Sequence, residues 1–384
     1  MKKPFLSVIL CIIVFVSAAQ KGTTTTRTII TDGTTRSYIL YVPAIYNGSI
    51  PVPLLLNFHG LGSNAGSQAD YSNFQPIADT ANFIMVLPEG LVRFGTTGWN
   101  CFGPVDPNID DLRFVSHLID SLKTEFNINP NRIYSTGFSN GGFMSHDLAC
   151  FMSTRIAAIA SVSGTMMDEH LQSCNPHHPT PVMQIHGTSD NVVTYTGTGG
   201  TLYSANVDSI IMYWVRYNNC NRQSVYTALP DINTSDSCTA EHYVYSSGRG
   251  GSSVELYKIT GGGHSWPGAT TNTSQGNTDR DFSASIVIWN FLRQYDKTQS
   301  IDDEQPGKVI FNVFPNPAVN EVTVETDKEL QGTLYSVFNL YGKEVLSGRL
   351  KENTTPIDIS QLNAGIYIFR ANQVTCQALK IVKE

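Results

Sequence analysis

Charge is scarce in this 384-residue chain: Asp, Glu, Lys and Arg together make up 15% of it. The balance is acidic, with 25 basic residues against 32 acidic ones and a formal net charge of −7. Without a basic excess there is no electrostatic footprint for a phosphate backbone, which argues against nucleic acid as a partner. Long apolar runs are missing too. Beyond Met1 to Gln20 no stretch approaches the ~18 apolar residues a membrane-spanning helix needs, so no span is expected in the mature chain. Low complexity is confined to Thr23 to Thr26, and there is no internal repeat. The seven cysteines fit no zinc spacing, and no motif implies a metal or an organic cofactor.

What is present is ample apolar material, 41% of the residues, enough for one large domain and a smaller one. The first residues carry Lys2 and Lys3, an apolar run from Phe5 to Val16, and the small residues Ser17-Ala18-Ala19. This pattern predicts a signal peptide over 1–19 and an exported mature protein. Cys11 follows Leu10 rather than a small residue, so a lipid anchor is not expected. Six cysteines remain after processing, and disulfides are the default outside the cytoplasm. The spacing alone leaves the pairs open; five of the six fall in the first domain, so at least one is expected to be free.

From Ser37 onward the pattern alternates. Ser37 to Val42, Pro53 to Phe58, Phe83 to Leu87, Ile133 to Thr136, Ile156 to Val162, Pro181 to His186 and Val254 to Ile259 read as strands. Phe74 to Ala81, Asp110 to Phe126, Val207 to Tyr217 and Asp281 to Tyr295 read as helices, with apolar residues three and four apart. Strand–helix alternation predicts a mostly parallel sheet with helices on both faces and chemistry in the loops at the carboxyl ends of the strands. Residues 298–308 are polar and acidic and read as a linker. Residues 309–384 carry short alternating runs, Glu321 to Glu325, Thr333 to Asn339 and Gly365 to Arg370, and predict a small all-β sandwich.

The chain is organised around Arg132 to Phe143, RIYSTGFSNGGF. A strand turns into a helix at Ser139 inside Gly137-x-Ser139-x-Gly141, the form that forces a serine hydroxyl out of a sheet and puts the Asn140 N–H at a helix N-terminus facing an oxyanion. A serine nucleophile needs a base, and the base an acid. In α/β-hydrolases, whose sheets carry such a serine elbow, the order along the chain is serine, acid, histidine. Of nine histidines only His242 and His264 come late enough, and His264 sits in the glycine-rich loop after the strand ending at Ile259. Asp190 lies in the loop after Pro181 to His186, whereas Asp208, Asp231 and Asp236 read as helix-start or turn residues. His186 reads as a packing or loop-bracing histidine. His59-Gly60-Leu61-Gly62 follows a buried strand and places the Leu61 N–H as the second oxyanion donor.

HGLGSNA at 59–65, Trp99-Asn100, Asp110-Asp111 with Phe114-Val115, GFSNGG at 137–142, HGTSDNVV at 186–193 and GGGHSWPG at 261–268 together resemble a family of secreted esterases. It includes polyhydroxybutyrate depolymerases and the carbohydrate-esterase-family-1 feruloyl and acetylxylan esterases. The resemblance covers roughly residues 30 to 297 and implies an α/β-hydrolase fold over 20–297, a triad of Ser139, Asp190 and His264, and Leu61 with Asn140 as oxyanion donors. It also implies bridges Cys150–Cys174 and Cys220–Cys238, while Cys101 departs from the family pattern. Residues 309–384, with Phe314-Pro315-Asn316-Pro317, Asn339 to Lys343 and Leu362 to Tyr367, are similar to the C-terminal sorting domain of the type IX secretion system. That similarity implies a secretion machinery as partner and a secreted or cell-surface location; the rival reading is a carbohydrate-binding sandwich.

The expectation is therefore a serine carboxylesterase acting on polymer-linked or small acyl esters. The alternatives are an extracellular poly(3-hydroxybutyrate) depolymerase, a peptidase on the same sheet, or a non-catalytic surface binding protein. Only about fifteen residues separate Asp190 from the helix at Val207, too few for a helical lid. An open cleft is expected, bordered by the indoles of Trp99 and Trp266.

Overall fold

A computed structural model of the protein describes residues 21–101, 106–197, 204–270, 275–297, 311–326, 332–339, 343–351, 354–371 and 379–384. The signal peptide expected at 1–19, the linker expected at 298–308 and Cys376 lie outside these residues. The chain divides into two compact units, Met1–Asp302 and Asp303–Glu384.

The first unit runs β1 (Thr23–Thr31), β2 (Thr34–Val42), β3 (Val52–Phe58), α1 (Ala65–Ser72), α2 (Gln75–Ala81), β4 (Ile84–Pro88), β5 (Leu91–Arg93), β6 (Thr96–Gly98), α3 (Asp111–Glu125), β7 (Ile128–Phe138), α4 (Asn140–Phe151), β8 (Ala158–Val162), α5 (Asp168–Ser173), β9 (Val182–Gly187), α6 (Val207–Tyr217), β10 (Val225–Ala228), β11 (Thr239–Tyr245), β12 (Val254–Thr260) and α7 (Ala284–Leu292). Ten of the strands form one sheet in the order β1-β2-β4-β3-β7-β8-β9-β12-β11-β10. Pairing is parallel from β4 through β12 and antiparallel on both flanks.

Every residue of β3, β4, β8 and β9 is buried, as strands covered on both faces require. The period of two sends Leu54 and Leu56 into one core with Phe114, Phe143 and Trp214, and Leu55 into the other with Phe83, Ile185 and Trp289. Helix α3 buries Phe114, Val115, Leu118, Ile119 and Leu122. Fully burying a side chain of this size contributes about 1.5–3 kcal/mol. The two acidic residues at its start divide the work. Asp110 caps the helix by accepting from the Arg113 N–H at 2.9 Å, while Asp111 turns inward to a buried pair with Arg36 at 2.7 Å and accepts the Asn100 N–H.

Several elements were not legible, β1 and α1 among them. Strand β1 alternates exposed and half-buried threonines, so its sequence carries no apolar face. Helix α1 is one short, polar segment, capped by the Asn64 side chain on the Ser67 N–H and by Glu89 on the Ala65 N–H.

Cys150 and Cys174 form a disulfide that ties the end of α4 to the end of α5. The bridge expected between Cys220 and Cys238 is absent; both are free and buried, as is Cys101. The register explains why. Cys220 lies against the Ser252 carbonyl, beyond the end of the β11–β12 ladder where Tyr245 faces Val254, whereas Cys238 precedes Thr239, which faces Thr260 at the opposite end. The intervening ladder is about 20 Å long at ~3.3 Å per residue, and a disulfide cannot bridge Cα atoms more than about 7 Å apart.

The second unit contains β13 (Phe311–Phe314), β14 (Glu321–Thr326), β15 (Leu334–Asn339), β16 (Glu344–Arg349), β17 (Thr354–Asp358), β18 (Gly365–Ala371) and β19 (Leu379–Lys383). They form two antiparallel sheets, β13-β14-β17 and β16-β15-β18-β19. Val322, Val324 and Ile357 from the first pack in one core with Val337, Phe369 and Ile381 from the second. Tyr335 and Tyr367 belong to that core, so they offer no exposed aromatic face for a sugar.

Candidate active site

Ser139 stands at the junction of β7 and α4 with φ 53° and ψ −120°, a left-handed conformation that costs a non-glycine residue about 1–3 kcal/mol. Its neighbours show why the flanking glycines are obligatory. A Cβ on Gly137 would lie 2.3 Å from the Gly141 carbonyl oxygen, and one on Gly141 would lie 2.1 Å from that of Phe58. The serine N–H is held by the Val162 carbonyl at 2.9 Å, which anchors the turn to the neighbouring strand.

The expected acid and base, Asp190 and His264, arrive from β9 and β12, adjacent parallel strands. Their loops abut at Gly187 and Gly262, where a Cβ on Gly187 would sit 2.2 Å from the Gly262 carbonyl oxygen. Ser189 N–H donates to that same carbonyl at 2.9 Å. This close approach brings His264 Nδ1 to 2.7 Å from Asp190 Oδ2. The other oxygen, Oδ1, accepts the N–H groups of Val192 and Val193 at 2.9 Å each. Burial pushes the Asp190 carboxyl up, but the His264 hydrogen bond and charge, with His186 and the Val192 N–H, outweigh it and leave it below the usual carboxylate range. The imidazole therefore faces an ionised carboxylate through Nδ1–H, which leaves Nε2 to accept a proton.

Leu61 follows β3, next to β7 in the sheet. The Gly60 carbonyl is bound by the His59 ring through Nδ1 at 2.8 Å and by the Ser63 N–H at 3.1 Å. Because a trans peptide aims its C=O and N–H in opposite directions, the Leu61 N–H is turned away from those donors. His59 Nε2 accepts the Gly90 N–H at 2.9 Å, so the ring is neutral with its proton on Nδ1, in keeping with burial lowering its basicity. Asn140 opens α4, where an N–H has no intrahelical acceptor. Its side chain is held in turn: Oδ1 accepts the Trp99 N–H at 2.6 Å, and Nδ2 donates to the Trp99 carbonyl at 3.3 Å.

A cleft of about 740 Å³ is lined by Leu61, Ser139, Asn140 and His264 together. Asp190 lies behind His264, buried. The indoles expected at the rim are elsewhere. Trp99 is 0% exposed, with Nε1 donating to the His59 carbonyl, and Trp266 is 1% exposed, with Nε1 donating to Ser285 Oγ. Each ring faces the interior because its one polar atom finds a partner there and its apolar surface packs against Phe58 or Phe74. The cleft wall is formed instead by Tyr71, Phe138, Phe143, Val192 and Val193, with the polar groups of Ser63, Ser67, Asp70, Thr270 and Gln275. Tyr71 also accepts the Trp266 N–H at 2.8 Å, bracing the histidine loop from α1. Ser63, Phe138, Phe143, Val192 and Val193 lie inside the quoted motifs without having been read as cleft residues, and Ser67, Asp70 and Tyr71 went unread with α1. Among the described residues no group of three His, Cys, Asp or Glu side chains has a metal-holding arrangement.

Residues 45–205 match the phospholipase/carboxylesterase family, and residues 312–384 match the secretion system C-terminal sorting domain. The chain thus combines a carboxylesterase-like segment, on a mostly parallel α/β-hydrolase-like sheet, with a segment similar to a secretion sorting domain. Among curated relatives, feruloyl esterase B of Piromyces equi is 29% identical over 238 residues, 60% of this chain and 42% of the relative. Feruloyl esterase D of Neurospora crassa is 31% identical over 186 residues, 45% of this chain and 59% of the relative. The chain thus spans about half the length of these two relatives. A solved acetyl xylan esterase of Aspergillus awamori aligns with 63% of this chain and 94% of its own at 13% identity and a TM-score of 0.49.

Proposed function

We propose that the protein is an exported serine carboxylesterase in which Ser139, His264 and Asp190 form the triad. The observation that carries this reading is the 2.7 Å bond from His264 Nδ1 to Asp190, opening onto one cleft with a serine held at positive φ. Ser139 Oγ attacks the ester carbonyl while His264 Nε2 takes its proton, and Asp190 stabilises the imidazolium. The N–H groups of Leu61 and Asn140 receive the charge that develops on the carbonyl oxygen. His264 then returns the proton to the departing alcohol, and a water activated by the same imidazole cleaves the acyl-enzyme.

The substrate reading is an acyl ester carried on a carbohydrate, of the feruloyl or acetyl kind. Two things support it: the named activities of the relatives, and a lining that combines an apolar set, Leu61, Phe138, Phe143, Val192 and Val193, with hydroxyl, amide and carboxylate groups suited to a sugar alcohol. The test is a panel of methyl ferulate, p-nitrophenyl acetate, acetylated xylan and 3-hydroxybutyrate oligomers, run with the wild-type chain and Ser139→Ala. Hydrolysis of the first three that vanishes in the variant is the expected outcome. Preference for hydroxybutyrate oligomers would replace this substrate class, and turnover that survives Ser139→Ala would overturn the triad.

A further inference from the structure

We propose that His186, outside the triad, is a positioning residue for its acid: from beneath the loop after β9 it secures, through the Val193 carbonyl, the turn that carries Asp190, its ring lying 3.5 Å from the carboxylate oxygen that faces His264. The inference rests on the triad reading above. Asp190 Oδ2 lies between two imidazoles, His264 Nδ1 at 2.7 Å and His186 Nε2 at 3.5 Å. His186 Nε2 also donates to the Val193 carbonyl at 2.8 Å, on the turn whose N–H groups bind Asp190 Oδ1.

The direction of every proton in this group is fixed by a backbone acceptor. Gln184 Nε2 bonds the Gly164 carbonyl at 2.7 Å and must therefore be a donor, so the His186 Nδ1 it meets at 3.1 Å is an acceptor and the His186 proton sits on Nε2. Gln184 Oε1 in turn accepts from His146 Nε2 at 3.1 Å. The chain of donors starts on α4, the helix that begins at the nucleophile, and ends on Asp190 and its turn. All of its members are buried, and burial lowers the basicity of both His146 and His186, so both rings stay neutral. The charged and titratable groups acting on His186 are Asp190 and His264, with His146 reached through Gln184; the Tyr195 ring packs against it edge-on. A neutral donor here steadies the turn under the carboxylate without competing for the proton that His264 must carry.

The experiment compares wild-type, His186→Phe and His186→Gln full-length enzymes on p-nitrophenyl acetate, with thermal unfolding run in parallel. Removing Nε2–H leaves the Val193 carbonyl without its donor, and the turn that holds Asp190 looser. His186→Phe should lower kcat about tenfold with KM within about twofold, and the acid limb of the kcat/KM profile should move up by about half a pH unit. His186→Gln, whose amide N–H2 can occupy the place of Nε2, should restore most of both. If His186→Phe does not fold, His186→Met supplies the same comparison. Unchanged kcat and an unchanged acid limb, with only a lower Tm, would sink the proposal and leave His186 a core residue. A readout independent of turnover is the low-field proton resonance of the His264–Asp190 bond. It should shift in His186→Phe and hold in His186→Gln; an identical resonance in all three also sinks the proposal. A wild-type enzyme that cleaves no ester would count against the esterase reading alone, since the resonance still decides the role of His186.

Discussion

Ser139 holds a strained backbone, and the strain is tolerable because Gly137 and Gly141 let three chain segments pass within contact of one another. Triad members act as a unit, so Ser139→Ala should lower turnover by roughly 10⁶ and Asp190→Asn by roughly 10⁴, measured as kcat on p-nitrophenyl acetate. Near-normal turnover in Asp190→Asn would move the acid role elsewhere. A second carboxylate makes a contrasting prediction. Burial, reinforced by Asp281 and Asp236 and opposed by the Asp281 N–H, pushes Asp279 up to about 6, and its Oδ2 has no hydrogen-bond partner among the described residues. A carboxyl with a folded value above its unfolded value of about 3.9 favours the native state below pH ~4, and that contribution is lost as the pH rises through about 6. Asp279→Asn, which mimics the protonated acid, should therefore raise Tm at pH 8 more than at pH 4. Equal shifts at both pH values would place the effect outside ionisation.

At the scale of elements, the site is a product of two pairs of adjacent strands. Strands β3 and β7 bring Leu61 beside Ser139, and β9 and β12 bring Asp190 beside His264. The histidine loop is further braced from α1, where Tyr71 accepts the Trp266 N–H, and from within the core, where Trp266 packs on Phe74. Trp266 is thereby buried behind the loop of the proposed base and outside the cleft lining. Trp266→Ala should cost about 3–5 kcal/mol of stability, the usual loss for a buried indole. It should also lower kcat/KM on a feruloyl ester and an acetyl ester by the same factor. A loss confined to the feruloyl ester would restore the indole to the cleft.

For the whole molecule, two compact units follow one another along the chain, and the residues of the proposed triad all belong to the first. We predict that truncation after Lys297 leaves hydrolysis intact and abolishes delivery to the cell surface. The cut is placed there because the Tyr295 carbonyl accepts from Tyr134 and the Lys297 ammonium donates to the Thr154 carbonyl, so both close the first unit. Activity in the cell-surface fraction and in the lysate of cells expressing each form checks this. A folded but inactive short form would make the tail part of the active site. The match of residues 312–384 to a secretion sorting domain is consistent with the extracellular or cell-surface location read from the leader.

The sequence by itself determined the strand–helix alternation, the elbow at Ser139, and the proposal of Asp190 and His264 as acid and base. Each is written in local terms: a period of two or 3.6, a glycine pair around a serine, a loop directly after an apolar run. Helix α6 was legible to its last residue because Val207, Ile210, Ile211, Trp214 and Val215 repeat at helical spacing and all face one core. The tertiary structure alone decided which residues line the cleft and which cysteines meet. A tryptophan beside a catalytic loop can face solvent or core, and the choice turns on whether its N–H finds a partner inside, as Trp99 does on His59 and Trp266 on Ser285. Likewise Cys220 and Cys238 are close in sequence, but they lie at opposite ends of the β11–β12 ladder. Contacts of this kind depend on register and on neighbours distant along the chain, and spacing in sequence does not encode them.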